Sequence, residues 1–140
     1  MIKKGKIEEY FINLEVDEET IQTEFGFETT FTVDYSNFSL DCILEVDEFN
    51  LRLNMVIDSV DLSYEILALV NEFNRNSKYL KANYSFANEN ILISTCQLYT
   101  NSNFEKVLDA ILNSIVNLDS EFIENLYNKN KEFMEGDIDE

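Results

Sequence analysis

The chain predicts an α+β fold: an antiparallel five-stranded sheet packed with helices, in the order α-β-β-β-α-β-β-α. Two observations carry this. The stretches Phe38 to Ile57 and Tyr79 to Tyr99 each alternate apolar and polar side chains on either side of a polar turn, as hairpins with one apolar face do. Three other stretches repeat apolar residues at three- and four-residue spacing, as amphipathic helices do. Hairpins and helices are grouped, which favours antiparallel pairing over a parallel βαβ arrangement.

In chain order, Ile7, Tyr10, Phe11 and Leu14 mark a first helix over Lys3 to Leu14, weakened at its start by Gly5. An acidic connection, Val16 to Thr20, follows. From Ile21 to Tyr35 the odd-numbered positions are Ile21, Thr23, Phe25, Phe27, Thr29, Phe31, Val33 and Tyr35, and polar residues hold most even ones. Fifteen residues is long for a strand, so this is one bent strand or two strands joined near Gly26 to Glu28. In the first hairpin, folding about Asp47-Glu48 pairs Val46 with Phe49, Leu44 with Leu51, Cys42 with Leu53 and Leu40 with Met55, every pair apolar. Asp-Glu is not the dipeptide a two-residue turn prefers, which leaves open a four-residue loop in the same register. Asp41, Glu45, Arg52 and Asn54 then fall on the outer face.

The central helix carries Leu62, Ile66, Leu69, Val70 and Phe73 on one stripe, with Asp61 as N-cap and Asn74, Asn76 and Ser77 as its stop. The second hairpin turns at Asn88-Glu89-Asn90, pairing Ala87 with Ile91 and Ala82 with Cys96. Both cysteines, Cys42 and Cys96, then lie on apolar strand faces, where they read as small buried thiols in preference to a disulfide or a nucleophile. Ser102 and Glu105 have capping-box spacing ahead of a stripe running from Phe104 to about Asn130. A helix that long extends past the sheet or bends near Asp119-Ser120. Residues 1–131 read as one domain, and 132–140 as an acidic, frayed tail.

Composition narrows function. The chain has 140 residues, 7 Tyr and 11 Phe, and a 45% hydrophobic fraction, enough for a folded core. No apolar run reaches the ~20 residues of a membrane span, and no signal-peptide pattern opens the chain, so the expected compartment is the cytoplasm. With 10 basic and 28 acidic residues the net charge is -18. From Ile7 to Leu51 there are 13 acids and no Lys or Arg. Such a field repels nucleic acid and anionic membranes and favours basic protein partners. Histidine is absent, removing the commonest general base and metal ligand. There is no phosphate-cradling glycine loop, no nucleophile elbow and no metal-ligand cluster in the sequence. The expectation is therefore a non-enzymatic chain with no catalytic residue, cofactor or metal.

The stretch Val70-Asn71-Glu72-Phe73-Asn74-Arg75-Asn76-Ser77 resembles the YbjN pattern of an apolar residue, Asn, an acid, an aromatic, Asn and Arg at the end of a central helix. Tyr79-Leu80-Lys81-Ala82 and Asn90-Ile91-Leu92-Ile93 also fit that family's strands. The order of elements, from about Lys4 to Leu126, is similar to YbjN-like domains and to the class I type III secretion chaperones. The resemblance implies a small, acidic, cytoplasmic and non-catalytic protein. It also implies a homodimer that binds an extended, secreted client segment partly by adding it to a sheet edge.

Five residues are candidates for partner binding: Phe25, Phe27, Phe31, Asn71 and Asn74. The three phenylalanines line either the core or a groove for an extended peptide at a sheet edge, where no Lys or Pro guards against pairing. Asn71 and Asn74 either recognise a partner backbone or cap the helix and tie it to the next strand. The function expected is a chaperone- or adaptor-like protein-binding module. The alternative is an acidic DNA mimic, of the kind a phage encodes, that blocks a nucleic-acid-binding protein.

Overall fold

The computed structural model describes residues 2–35, 39–58, 60–118, 122–126 and 128. Its elements are α1 (Lys4–Asn13), β1 (Glu18–Gln22), β2 (Phe27–Asp34), β3 (Ser39–Val46), β4 (Asn50–Ile57), α2 (Tyr64–Asn76), β5 (Lys81–Ser85), β6 (Asn90–Leu98) and α3 (Phe104–Val116). The class is the α+β antiparallel one that the alternation predicts, but the sheet has six strands, in the order β1-β2-β3-β4-β6-β5.

The sixth strand arises where the long aromatic segment divides. Thr23 donates its N–H to the Gly26 carbonyl at 2.8 Å, and Gln22 pairs with Phe27, so residues 23–26 form a turn between β1 and β2. Gly26 is buried here, and only glycine fits, because a Cβ would lie 1.9 Å from the Val46 carbonyl oxygen. The turn also switches parity. Phe27, Thr29, Phe31 and Val33 face the core, whereas on β1 the core-facing residue is Thr20, and Ile21, expected on the apolar side, is exposed.

The first hairpin keeps its predicted faces with a register two residues away. Val46 pairs with Leu51, Leu44 with Leu53 and Cys42 with Met55, because the loop is the four-residue Asp47–Asn50. Asp47 closes that loop by accepting N–H groups from Phe49 at 2.9 Å and Asn50 at 2.7 Å. Desolvation opposes its charge, but those two donors outweigh it and hold the carboxyl below the usual carboxylate range. In the second hairpin the register moves by an odd number. Ser85 pairs with Asn90 and Ala82 with Ile93, around a turn in which Glu89 is left-handed at φ 51°. Val60 N–H reaches the Glu89 carbonyl, and the Tyr84 hydroxyl donates to the Val60 carbonyl, pinning this turn. An odd shift exchanges faces. Ile91 and Ile93 are buried, while Cys96, expected inside, is exposed.

Helix ends also differ in detail. Ser63, not Asp61, is the N-cap of α2, accepting from Ile66 N–H at 3.2 Å. The capping box at Ser102 does not form. Asn103 is the N-cap of α3, and its carboxamide oxygen instead accepts from Thr100 N–H at 2.6 Å. The long apolar stripe does not make one helix, since α3 ends at Val116 and Leu118 N–H turns back to the Ile115 carbonyl. Residues 122–126 are helical again, with Phe122, Ile123 and Leu126 buried. The bend expected at Asp119-Ser120 and the tail from Glu132 lie outside the described residues.

One core joins all of this. Ile7 and Phe11 of α1, Ile66, Val70 and Phe73 of α2, and Leu108, Ile111 and Ile115 of α3 pack with the inward residues of the sheet. Phe73 stacks on Phe122 with ring centroids 4.4 Å apart. Helices therefore cover one face of the sheet, and among the described residues no element covers the other. Among the described residues no helix is long and apolar enough to cross a membrane.

Candidate functional site at the open sheet face and its edges

The two edges of the sheet are treated differently. At the β5 edge the Asn74 side chain makes the bonds a further strand would make. Its carboxamide NH2 donates to the Ala82 carbonyl at 2.8 Å, and its oxygen accepts from Ala82 N–H at 2.7 Å. Lys81 Nζ donates to the carbonyls of Asn74 and Ser77, satisfying the open end of α2. Ser77 Oγ accepts from Leu80 N–H at 3.1 Å, closing the connection. This edge is occupied at Ala82.

At the β1 edge nothing equivalent occurs. Among the described residues, β1 backbone groups bond only to β2. Because Thr23 N–H bonds to Gly26, ladder alternation turns the N–H of Gln22 to the open side. The strand is short, five residues, and carries Glu18 and Glu19. The first residue paired is Glu18, opposite Phe31, so Thr32 to Asp34 of β2 have no strand partner on that side among the described residues. A concavity of about 840 Å3 opens there, lined by Glu15, Asp17, Glu18, Glu19, Asp34 and Asp41 with Val16, Phe31 and Ile43 among its apolar members.

The open face itself is polarised. In register across it run Glu19, Thr30, Ile43 and Asn54, then Glu28, Glu45, Arg52 and Cys96. Glu28 and Glu45 are directly opposite, a like-charge pair that costs stability. Arg52 reaches Glu45 at 3.3 Å, and its charge is held more firmly by the Cys96 thiol opposite and then by Glu45. Asp41 accepts the Thr32 hydroxyl at 2.9 Å and Asp34 the Ser39 hydroxyl at 2.6 Å, each across a strand pair. The β1 to β3 half of this face thus carries Glu19, Glu28, Asp34, Asp41 and Glu45, while the only charges on the β4, β6 and β5 half are Arg52 and Lys81.

The five candidate residues do not converge. Phe25 is 76% exposed in the turn beside β1. Phe27 is half-buried against the core, and Phe31 is a core residue, its ring 4.9 Å from that of Phe11. Phe31 thus takes the packing role that sequence left open. Asn71 is exposed on α2, and Asn74 ties the helix to the next strand at the opposite edge from Phe25. The alternation already placed Asp41, Glu45 and Arg52 on the outer face. That these asparagines tie the helix to the next strand was one of the two readings of the sequence, and it holds for Asn74; that the tie falls on a sheet edge depends on how α2 docks on β5.

The thiols separate in character. Cys42 lies on the core side, and burial, then the field of Asp41, pushes it up to about 12 against a weaker opposing Val33 contact. Among the described residues no group of three or more His, Cys, Asp or Glu side chains is placed to hold a metal ion. Compared with protein-family models, with curated proteins and with solved structures, the chain matches none.

Proposed function

We propose that this chain is a cytoplasmic, non-enzymatic protein-binding module, chaperone- or adaptor-like, that acts as a homodimer and holds an extended partner segment along β1. The observation that carries the reading is the asymmetry of the edges: Asn74 closes that of β5 at Ala82, and among the described residues the backbone groups of β1 bond only to β2. Phe25 would supply apolar contact next to that edge. The resemblance to YbjN-like domains and secretion chaperones supports a homodimer and a client bound at a sheet edge. The partner is expected to be basic, because a strand added at β1 lies beside Glu15, Asp17, Glu18 and Glu19.

The test is an affinity pull-down from native lysate at low and high salt, with wild type, Phe25→Asp and Gln22→Pro. Pro at position 22 removes an N–H that β2 does not use, so the hairpin survives while the edge loses a donor. A protein retained by wild type at high salt and lost by both variants supports strand addition. Capture that is the same for all three chains, or confined to low salt, overturns it.

A further inference from the structure

A second surface, which adjoins the β1 edge and shares Glu19, Asp34, Asp41 and Ile43 with the concavity there, lies on the open face of the sheet. Val56 and Leu92 are directly opposite on β4 and β6, and Ile43 is diagonal to Val56 on β3. All three are half-buried, with no element above them among the described residues, and Ile21 and Leu98 stand exposed on the same face. An apolar strip in the middle of a bare sheet face gains from being covered. What covers it is constrained by charge. On one side of the strip stand Glu19, Glu28, Asp34, Asp41 and Glu45, and the only ion pair among the described residues of this face is Arg52 with Glu45.

Sheet geometry gives these carboxylates a fixed grid, with strands ~4.8 Å apart and same-face residues ~6.7 Å apart along a strand. Asp34 and Asp41 are further held by the hydroxyls of Ser39 and Thr32. A second copy would set this acidic half against like charge, and nucleic acid is repelled by a net charge of -18. Extended segments suit a strand edge. A rigid, anionic, slightly hollowed face suits a folded cationic surface.

We propose that the open sheet face docks a folded protein surface rich in Lys and Arg, of the kind that grips a phosphate backbone, with its basic side chains over β1 to β3 and its apolar contact on Ile43, Val56 and Leu92. The carboxylate grid stands in for phosphates. Strand addition at β1 is not required, so either proposal can fail alone.

The experiment uses a core-histone dimer as a folded basic probe and isothermal titration at low salt. Two variants of equal net charge are compared, each -18 plus 4, or -14. One neutralises the face: Glu28→Gln, Asp34→Asn, Asp41→Asn and Glu45→Gln. The other neutralises exposed acids elsewhere: Glu9→Gln, Glu48→Gln, Glu65→Gln and Glu72→Gln. Expected are binding by wild type, competition by duplex DNA, about tenfold weaker binding by the face variant and less than about threefold change in the control. The face variant loses the Glu28 and Glu45 repulsion, so its thermal midpoint should be at or above that of wild type, which separates lost binding from lost folding. Equal weakening by both variants overturns the proposal in favour of bulk charge. So does no binding at low salt, or stoichiometric Ca2+ binding that the face variant abolishes.

Discussion

Asn74 sits in the last turn of α2, where its carboxamide meets the backbone of Ala82 in both directions. A carboxamide matches a peptide group in donor and acceptor, so one side chain replaces a strand over one residue of the edge. Replacing Asn74 by Ala leaves Ala82 N–H and C=O unpaired in a partly buried place, and the expected loss is about 1–3 kcal/mol in urea unfolding. Asn74→Asp should cost more, because a carboxylate cannot donate to the Ala82 carbonyl. Both variants should also associate with rising concentration in light scattering, since they bare the edge. Unchanged stability and scattering would show that Asn74 is a surface residue with no hold on β5. The types and spacing of Asn71 and Asn74 were visible in the sequence; which of them points at a strand was not. Helix docking turns Asn74 towards Ala82 and leaves Asn71 exposed.

At the scale of elements, the turn between β1 and β2 decides the number of strands. Gly26 is needed there for space and not for its φ, as none of the described glycines has positive φ. An Ala at 26 must displace the Val46 carbonyl or the turn itself. The expected cost of Gly26→Ala is about 1–3 kcal/mol, read as a lower urea midpoint with unchanged slope. A midpoint equal to wild type would mean that the β1 hairpin contributes little to cooperative unfolding. Turn length also set the accuracy of register. Where the alternative loop differed by an even count, around Asp47–Asn50, faces were predicted correctly; where it differed by an odd count, around Glu89, the faces of β6 were exchanged.

Across the whole molecule, the absence of His leaves no side chain of ordinary pKa near neutrality, so stability should be flat between about pH 6 and 8. The alkaline side is different. Burial raises Cys42 to about 12, and burial also raises Tyr35 and, together with its bond to Asp109, Tyr10. A group whose folded pKa lies above its unfolded value contributes stability in full below the unfolded value, about 8.5 for Cys and 10 for Tyr. That contribution is lost as pH rises towards the folded value. Thermal midpoints should therefore decline from about pH 9 and more steeply past about pH 10. The first part of the decline should be absent in Cys42→Ala. A Cys42→Ala profile identical in shape to wild type would remove the thiol from this account.

The sequence by itself determined the class: period-two and 3.6-residue patterns fix which segments are strands and helices, because each must bury one face. It also determined the acidic character and the outward side of β3 and β4, since alternation within a strand needs no knowledge of its neighbours. The tertiary structure decided everything that depends on contact between distant segments. That includes the sixth strand, which rests on Gly26 against Val46, the register set by turns that bend through φ 51° at Glu89, and the end of α3 at Val116. It also includes the contrast between a β5 edge filled by Asn74 and an open β1 edge. A side chain 8 residues from its partner in sequence can complete a sheet only once the helix bearing it has packed.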